Sequence, residues 1–343
     1  MERIHGGDWA AYELEYGKQP LDFSASLSPL GMPDRVYQAA VDAMRGAGRY
    51  PDPSCRLLRA ALSDKHGVDT AQIVCGVGAA DLIDRLARVL QPKRALLPAP
   101  TFSEYERALL SVGCEVERFP LPGDFQVREE FVGAVTPETD AVFLCNPNNP
   151  TGLLTEPALL RRCLERGGTL IVDECFLDLT DDPARYSLVS FLRDYPNLIL
   201  LRAFTKTFAM AGLRLGYALC GSAETARALR DVGQPWPVSV PAEAAGIAAL
   251  KEPDYENEVR AFLHTERARM LRALSGMGLR VLPGQANFLL FYSEDTDLAQ
   301  KLRTKGILLR DCRDFPGLCP GWYRTAIRKR EENDMLLKAL GEA

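Results

Sequence analysis

The chain lacks the features that mark several large classes of protein. In its 343 residues there is no apolar run near the ~20 residues that a membrane span needs, and no apolar signal segment follows Met1. There is no basic run with interleaved aromatic residues, and 41 Lys and Arg against 46 Asp and Glu give a net charge of -5. Mild acidity of this kind disfavours nucleic acid as a ligand. We therefore expect neither a membrane nor a nucleic acid as a partner.

Patterns for metal binding and for disulfides are also missing. The three histidines, His5, His66 and His264, are widely separated, and none of the nine cysteines has Cys-x-x-Cys spacing. We therefore expect no metal site. Because unpaired thiols persist in a reducing compartment, we expect a cytoplasmic protein.

What the chain does have is an alternation of strand-like and helical segments. Short apolar runs bounded by turn residues lie at Arg94–Leu97, Ala141–Cys145, Thr169–Val172, Leu198–Leu201 and Tyr217–Cys220. Such runs fit a mostly parallel sheet buried on both faces by helices, with ligands at the carboxyl ends of the strands. We predict an α/β protein with an N-terminal arm (1–48), a large domain (49–265) and a smaller α+β C-terminal domain (266–343).

The segment around Lys206 is the most informative about chemistry. It follows the run Leu198–Leu201, and Arg214 comes eight residues after the lysine. A lysine in apolar surroundings loses its charge easily and can attack a carbonyl, whereas an arginine can hold a phosphate. Pyridoxal phosphate, an aldehyde that carries a phosphate, needs both. A lone lysine is more commonly a solvated surface residue, so the other motifs must decide.

Two motifs follow the first strands of the predicted sheet. The turn Gly76-Val77-Gly78 precedes a helix from Ala79, and such a helix start can hold a phosphate, although a plain strand-to-helix turn is equally consistent. Phe102 follows the next strand and could stack on a flat ring or simply belong to the core.

Two more motifs follow later strands. The turn Asn146–Gly152 has more amides than a turn needs, and Asn149 could bond to a ring oxygen. Asp173 ends a buried strand, where a carboxylate is costly without a cationic partner such as a protonated pyridine. A helix cap or a surface ion pair is the alternative.

Taken in order, these motifs resemble those of the fold-type I pyridoxal-phosphate enzymes over nearly the whole chain. Arg49–Pro53 resembles the signature of the histidinol-phosphate aminotransferase branch. Within that branch the chain resembles the threonine-phosphate decarboxylases in the segments His5–Gly7, Asp22–Ala25, Pro29–Gly31, Gly306–Cys312 and Phe315–Leu318. The resemblance implies pyridoxal 5'-phosphate as cofactor and a homodimer with shared active sites.

The resemblance also implies roles for individual residues. Lys206 would attach the cofactor and shuttle protons, and Asp173 would keep the ring nitrogen charged. The other implied cofactor contacts are Asn149 at the ring oxygen, Phe102 stacked on the ring, Gly78, Ala79, Thr205 and Arg214 at the phosphate, and Tyr50 at the phosphate of the neighbouring subunit. The implied substrate contacts are His5 and Arg310 at the phosphate and Arg324 at the carboxylate, with Gly6, Ser26 and Asn149 alongside.

The implied activity is decarboxylation of O-phospho-L-threonine to (R)-1-aminopropan-2-yl phosphate in cobalamin biosynthesis. Phe176 stands where many relatives have a tyrosine, which agrees better with a decarboxylase than with an aminotransferase. Ser26 and Ser28 replace two asparagines of the arm, so phosphoserine stays open as a substrate. Amino transfer to a phosphorylated compound such as histidinol phosphate is the main alternative. A non-catalytic binding module and a nicotinamide-dependent dehydrogenase explain less, because they leave Lys206 and Asn149 without a role.

Overall fold

The computed structural model describes residues 5–342. The helices are α1 (Trp9–Tyr16), α2 (Asp34–Ala43), α3 (Arg56–His66), α4 (Ala79–Leu90), α5 (Ser103–Ser111), α6 (Glu129–Ala134), α7 (Pro157–Glu165), α8 (Pro183–Tyr186), α9 (Phe204–Thr207), α10 (Ala223–Asp231), α11 (Val240–Ala249), α12 (Pro253–Gly276), α13 (Leu298–Thr304) and α14 (Arg330–Gly341). The strands are β1 (Leu21–Asp22), β2 (Ile73–Gly76), β3 (Arg94–Ala99), β4 (Glu115–Pro120), β5 (Ala141–Cys145), β6 (Thr169–Asp173), β7 (Leu198–Ala203), β8 (Gly216–Cys220), β9 (Arg280–Val281), β10 (Phe288–Tyr292), β11 (Ile307–Leu308), β12 (Arg310–Asp311) and β13 (Trp322–Ala326).

The larger sheet has seven strands in the order β2-β8-β7-β6-β5-β3-β4. Alternate residues of its central strands enter two different apolar clusters: Val142 and Leu144 lie on one face of β5, and Phe143 and Cys145 on the other. A sheet that is covered on both faces needs near-continuous apolar strands, and all five residues of β5 are buried. The predicted α/β class and the helix-covered sheet are thus confirmed.

One strand of this sheet runs against the rest. β8 pairs antiparallel with both β2 and β7, while the neighbours from β7 to β4 are parallel. The connection from β7 to β8 contains the four-residue α9 and the 3-10 turn Ala211–Leu213, and it lacks the longer helix that usually makes a parallel crossover. The chain therefore doubles back through the segment that carries Lys206.

The smaller lobe is built on the antiparallel sheet β12-β13-β10-β9. Its core includes Val259 and Leu274, which lie on either side of position 265 in the 24-residue α12. The predicted boundary between residues 265 and 266 falls inside that helix, and we propose that α12 belongs as a whole to the smaller domain. The other predicted domain boundary remains a prediction.

Residues before position 49 contact both lobes. β1 adds to β11 of the smaller lobe in a parallel pair, whereas Val36 and Ala40 of α2 are buried in a core cluster of the large sheet. The arm thus crosses between the two lobes and brings the segment after β1 to their junction.

Two further features concern the whole described chain. No helix in residues 5–342 is long and apolar enough to cross a membrane. Of the nine cysteines, eight are buried and Cys319 is exposed, and all nine are unpaired.

Candidate active site

A cleft of about 400 Å³ lies between the carboxyl ends of the large-sheet strands and the smaller lobe. This volume lies in the range of small-molecule sites. Most of the site residues predicted from the sequence line it: His5, Gly6, Ser26, Ala79, Phe102, Asn149, Asp173, Thr205, Lys206, Arg214, Arg310 and Arg324. Gly78 and Tyr50 do not line the cleft.

Lys206 projects into the cleft from α9, directly after β7. Its Nζ lies 5.2 Å from the centre of the Phe176 ring. Burial, and after it the charge of Arg324, lower the pKa of Lys206 to about 8. A substantial fraction of the amine is therefore neutral near physiological pH and can act as a nucleophile.

Asp173 ends β6 and is held by two hydrogen-bond donors. The Tyr105 hydroxyl donates to Asp173 Oδ2 at 2.7 Å, and the backbone N–H of Cys175 donates to Oδ1 at 2.9 Å. Asp173 is buried, yet it lines the cleft. Because a carboxylate has about four lone-pair sites, these two bonds leave acceptor capacity for a cation in the cleft.

The neighbouring acid, Glu174, faces away from Asp173 and serves a different purpose. Arg202 donates to Glu174 Oε2 through Nε at 3.0 Å and through Nη2 at 2.5 Å, and to Asp178 at 3.0 Å. Burial opposes the charge of Arg202, but Asp178 and Glu174 outweigh it and raise the arginine pKa. The adjacent acids thus have separate positions: one in the cleft and one in a buried ion pair.

A phosphate cradle is formed by the start of α4 and Arg214. Gly78 has φ 82°, and a Cβ at this position would lie 2.5 Å from Arg214 Nη2. Ala79, the first residue of the 12-residue α4, lines the cleft beside Arg214 and Thr205. A helix start next to an arginine is an anion site in which glycine permits close approach.

Arg324 and Asn149 both line the cleft and contact each other. The guanidinium donates to Asn149 Oδ1 and, at 2.9 Å, to the carbonyl oxygen of Ser24. Burial lowers the pKa of Arg324 to about 10, so it remains charged at neutral pH. Within residues 5–342, neither Arg324 Nε nor the buried hydroxyl of Ser26 has a hydrogen-bond partner. Unsatisfied polar atoms beside a cleft indicate the place of a polar ligand.

Arg310 and His5 also line the cleft. Arg310 Nη2 donates to Asp314 at 2.8 Å, and the guanidinium carbon lies 5.1 Å from the centre of the Phe315 ring. His5 Nε2 lies 3.1 Å from Glu104 Oε1. The start of the arm therefore lies at the cleft, beside the first turn of α5.

Tyr50 lies away from the cleft of its own chain. Its side chain is 78% exposed and stacks on Trp236 with ring centres 4.4 Å apart. The structure does not bring Tyr50 to the other site residues, which agrees with a role toward a second subunit; that role remains a prediction.

Sequence reasoning missed several cleft residues. Tyr105, Glu104, Ser24 and Phe315 line the cleft but were not among the predicted site residues. Tyr105 and Glu104 lie in the first turn of α5, and a polar residue in the first turn after a strand end is the signal that could have found them. The positions of Ser24 and Phe315 depend on the packing of the two lobes.

The fold and this site together define a fold-type I pyridoxal-phosphate enzyme. The chain belongs to the aminotransferase class I and II family, whose model matches residues 18–340. This membership confirms the predicted fold and the predicted cofactor, pyridoxal 5'-phosphate.

Named relatives give finer likenesses. The chain is 39% identical to the threonine-phosphate decarboxylase of Salmonella typhimurium over 98% of this chain and 95% of that protein. It is 34% identical to histidinol-phosphate aminotransferase 2 of Archaeoglobus fulgidus over 95% of this chain and 93% of that protein. The structure of histidinol-phosphate aminotransferase from Sinorhizobium meliloti, in complex with pyridoxal-5'-phosphate, superposes with a TM-score of 0.89 at 25% identity, covering 100% of this chain and 95% of that one.

Proposed function

We propose that this enzyme decarboxylates O-phospho-L-threonine to (R)-1-aminopropan-2-yl phosphate in cobalamin biosynthesis. The observation that carries the proposal is that two buried arginines, Arg310 and Arg324, line the same cleft as Lys206. Phosphothreonine offers a phosphate and a carboxylate to such a pair, whereas histidinol phosphate offers only a phosphate. The 39% identity to a threonine-phosphate decarboxylase supports this choice.

The residues of the cleft fit the cofactor. The cradle at Gly78, Ala79 and Arg214 suits its phosphate, Asp173 suits its ring nitrogen and Phe102 suits its flat ring. When bound, pyridoxal phosphate supplies a sink for the electron pair that remains when carbon dioxide departs. The protein supplies the orientation of the substrate and the proton transfers.

Asp173 and Lys206 carry the proton chemistry in this proposal. Two donors hold the Asp173 carboxylate in the cleft, where it would stabilise a positive charge placed beside it. The Lys206 amine, with its pKa lowered to about 8 by burial and then by Arg324, can be neutral as a nucleophile and can afterwards return a proton to the substrate α-carbon.

The two arginines fix the bond that is to break. Arg324 would take the carboxylate through donors that include its unpartnered Nε, and Arg310 would take the phosphate together with His5. A substrate anchored at both ends has little freedom to rotate, and orientation of this kind is a large part of catalysis. The short hydroxyl side chain of Ser26 lines the same region and would face the substrate between its anchors.

We also propose a homodimer in which Tyr50 contacts the cofactor phosphate of the other subunit. The exposed stack of Tyr50 on Trp236 supports this, because large exposed aromatic residues commonly mark contact surfaces. Light scattering of the holoenzyme should give twice the chain mass. Tyr50→Phe should leave that mass unchanged and weaken cofactor retention.

The deciding experiment is an assay of the holoenzyme with phosphothreonine, phosphoserine and histidinol phosphate, each with and without 2-oxoglutarate. We expect carbon dioxide from phosphothreonine without any oxo acid. Glutamate formation from histidinol phosphate that requires 2-oxoglutarate would instead establish the aminotransferase, which the 34% identity to such an enzyme keeps as the second candidate. A preference for phosphoserine would retain the reaction class and change the substrate.

A further inference from the structure

Tyr105 is fully buried and is fixed by aromatic contacts on two sides. Its ring stacks on Phe143 at 5.3 Å and 24°, and it meets the edge of Phe102 at 5.5 Å and 81°. Phe143 lies on β5 and Phe102 directly precedes α5, so both contacts come from the framework of the sheet. The position of the Tyr105 hydroxyl is therefore set before any ligand binds.

The hydroxyl of Tyr105 has one strong acceptor, Asp173 Oδ2, at 2.7 Å. Burial, and then the charge of Asp173, raise the pKa of Tyr105 well above its ordinary value. The phenol thus stays protonated and can act only as a donor toward this carboxylate. The other titratable groups that face the pair are Cys145 and Cys175, whose thiol pKa values are raised chiefly by burial, and Lys206.

We propose that Tyr105 is a positioning residue that holds the Asp173 carboxylate toward the cofactor ring, so that the ring nitrogen keeps its proton. This rests on the proposed role of Asp173. A donor that bonds to a carboxylate stabilises its charged form, and the effect is large where water is excluded. Without that donor, the Asp173 carboxylate could rotate about its side chain and away from the ring.

Two measurable consequences follow for Tyr105→Phe, which keeps both ring contacts. The ring nitrogen would lose positive charge, so the pH midpoint of the visible absorbance of the bound cofactor should move upward. A lost hydrogen bond to a charged group typically weakens binding by about tenfold or more. The dissociation constant of the cofactor should therefore rise by about that factor. Neither measurement needs a substrate.

The matched control is Tyr323→Phe. Tyr323 is also fully buried, and its hydroxyl donates to the carbonyl oxygen of Asp295 at 2.9 Å in the smaller lobe. The Tyr323→Phe variant should lower the thermal unfolding midpoint about as much as Tyr105→Phe does, and it should leave the pH midpoint of the cofactor absorbance unchanged. An equal absorbance shift in both variants would mean that the effect is structural and would overturn the proposal.

A double-mutant cycle with Asp173→Asn tests whether Tyr105 acts through Asp173. In the Asn background, Tyr105→Phe should no longer move the absorbance midpoint; a shift that persists there would overturn the proposal. Site-specific 3-fluorotyrosine at position 105 keeps the fold and makes the phenol a stronger donor, so it should move the midpoint downward. If the wild-type holoenzyme titrates but both position-105 variants match it, the inference fails while the proposed function stands. If the wild-type protein takes up no cofactor, both fail.

Discussion

The two halves of the cleft are built in different ways. The half around Lys206 comes from consecutive strand ends of one sheet: Asp173 ends β6, and Lys206 follows β7. The half around Arg310 comes from segments far apart in the chain, since His5 lies in the arm and Arg310 and Arg324 lie on β12 and β13. The first half is fixed by the topology of one domain, whereas the second requires the arm and the smaller lobe to be docked correctly. We therefore expect the first half to control covalent chemistry and the second to control the choice of substrate.

The strongest test of the first half is Lys206→Ala. We expect complete loss of turnover and of cofactor attached at position 206, because no other amine is assigned to this role. Mass spectrometry after borohydride reduction measures the attachment directly. Lys251→Ala, at an exposed position, is the control and should behave as the wild type. A reduced adduct elsewhere in the chain would remove Lys206 from the site.

The next test removes the buried ion pair between Arg202 and Glu174, which lies next to Asp173 in the chain. Glu174→Gln removes the charge that pairs with buried Arg202, and breaking such a pair typically costs about 3 kcal/mol of unfolding free energy. Urea unfolding measures this loss. Glu165→Gln removes one partner of a half-exposed pair, Arg161–Glu165, and should cost less than ~0.5 kcal/mol. Equal losses in the two variants would show that the buried pair does not stabilise this part of the fold.

The second half is tested by Arg310→Gln. Loss of a charge-assisted bond to phosphate should weaken turnover of phosphothreonine by ~2 kcal/mol in kcat/KM, with far less effect on unphosphorylated threonine. The control is Arg313→Gln, three residues on, whose side chain is 44% exposed and pairs with Asp311. If both substrates lose equally, Arg310 has no special role at the phosphate.

The smallest expected effect concerns the two halves together: the charge of Arg324 in the second half acts on the pKa of Lys206 in the first. Arg324 is one cause of the lowered pKa of Lys206, which is about 8 and follows chiefly from burial. Attack on the cofactor requires the neutral amine, so its rate in the cofactor-free protein should rise with pH through about 8 and then level off. Arg324→Gln removes a positive charge, so this midpoint should move upward by less than the whole difference from an ordinary lysine. Stopped-flow absorbance across pH measures it; an unchanged midpoint would contradict the coupling.

The difference between the halves also explains how much could be predicted from the sequence. Phe102, Asn149, Asp173 and Lys206 follow apolar strands, and parallel strands bring such positions to one edge of a sheet. With that rule, local sequence signals alone predicted that these four residues lie together in the half of the cleft around Lys206. The assignment of Arg310 and Arg324 to the substrate came from the resemblance to a known family, because no local pattern distinguishes these two arginines.

Details that depend on side-chain direction could not be predicted in this way. Asp173 and Glu174 are adjacent carboxylates in the sequence, yet successive residues at a strand end point to opposite sides, and of the two Asp173 lines the cleft. The bond between Tyr105 and Asp173 joins residues from α5 and β6, so it depends on how that helix packs on the sheet. The reversed β8 likewise followed from the short connection and not from the apolar pattern.

The cysteine distribution provides a way to observe the substrate half of the cleft. Cys319 is the exposed thiol among nine, and it lies four residues after Phe315, which lines the cleft beside Arg310. A maleimide fluorophore should therefore modify the native enzyme at one position without further mutagenesis. Its emission would report, in real time, whether the loop of the smaller lobe changes its surroundings when a phosphorylated amino acid enters.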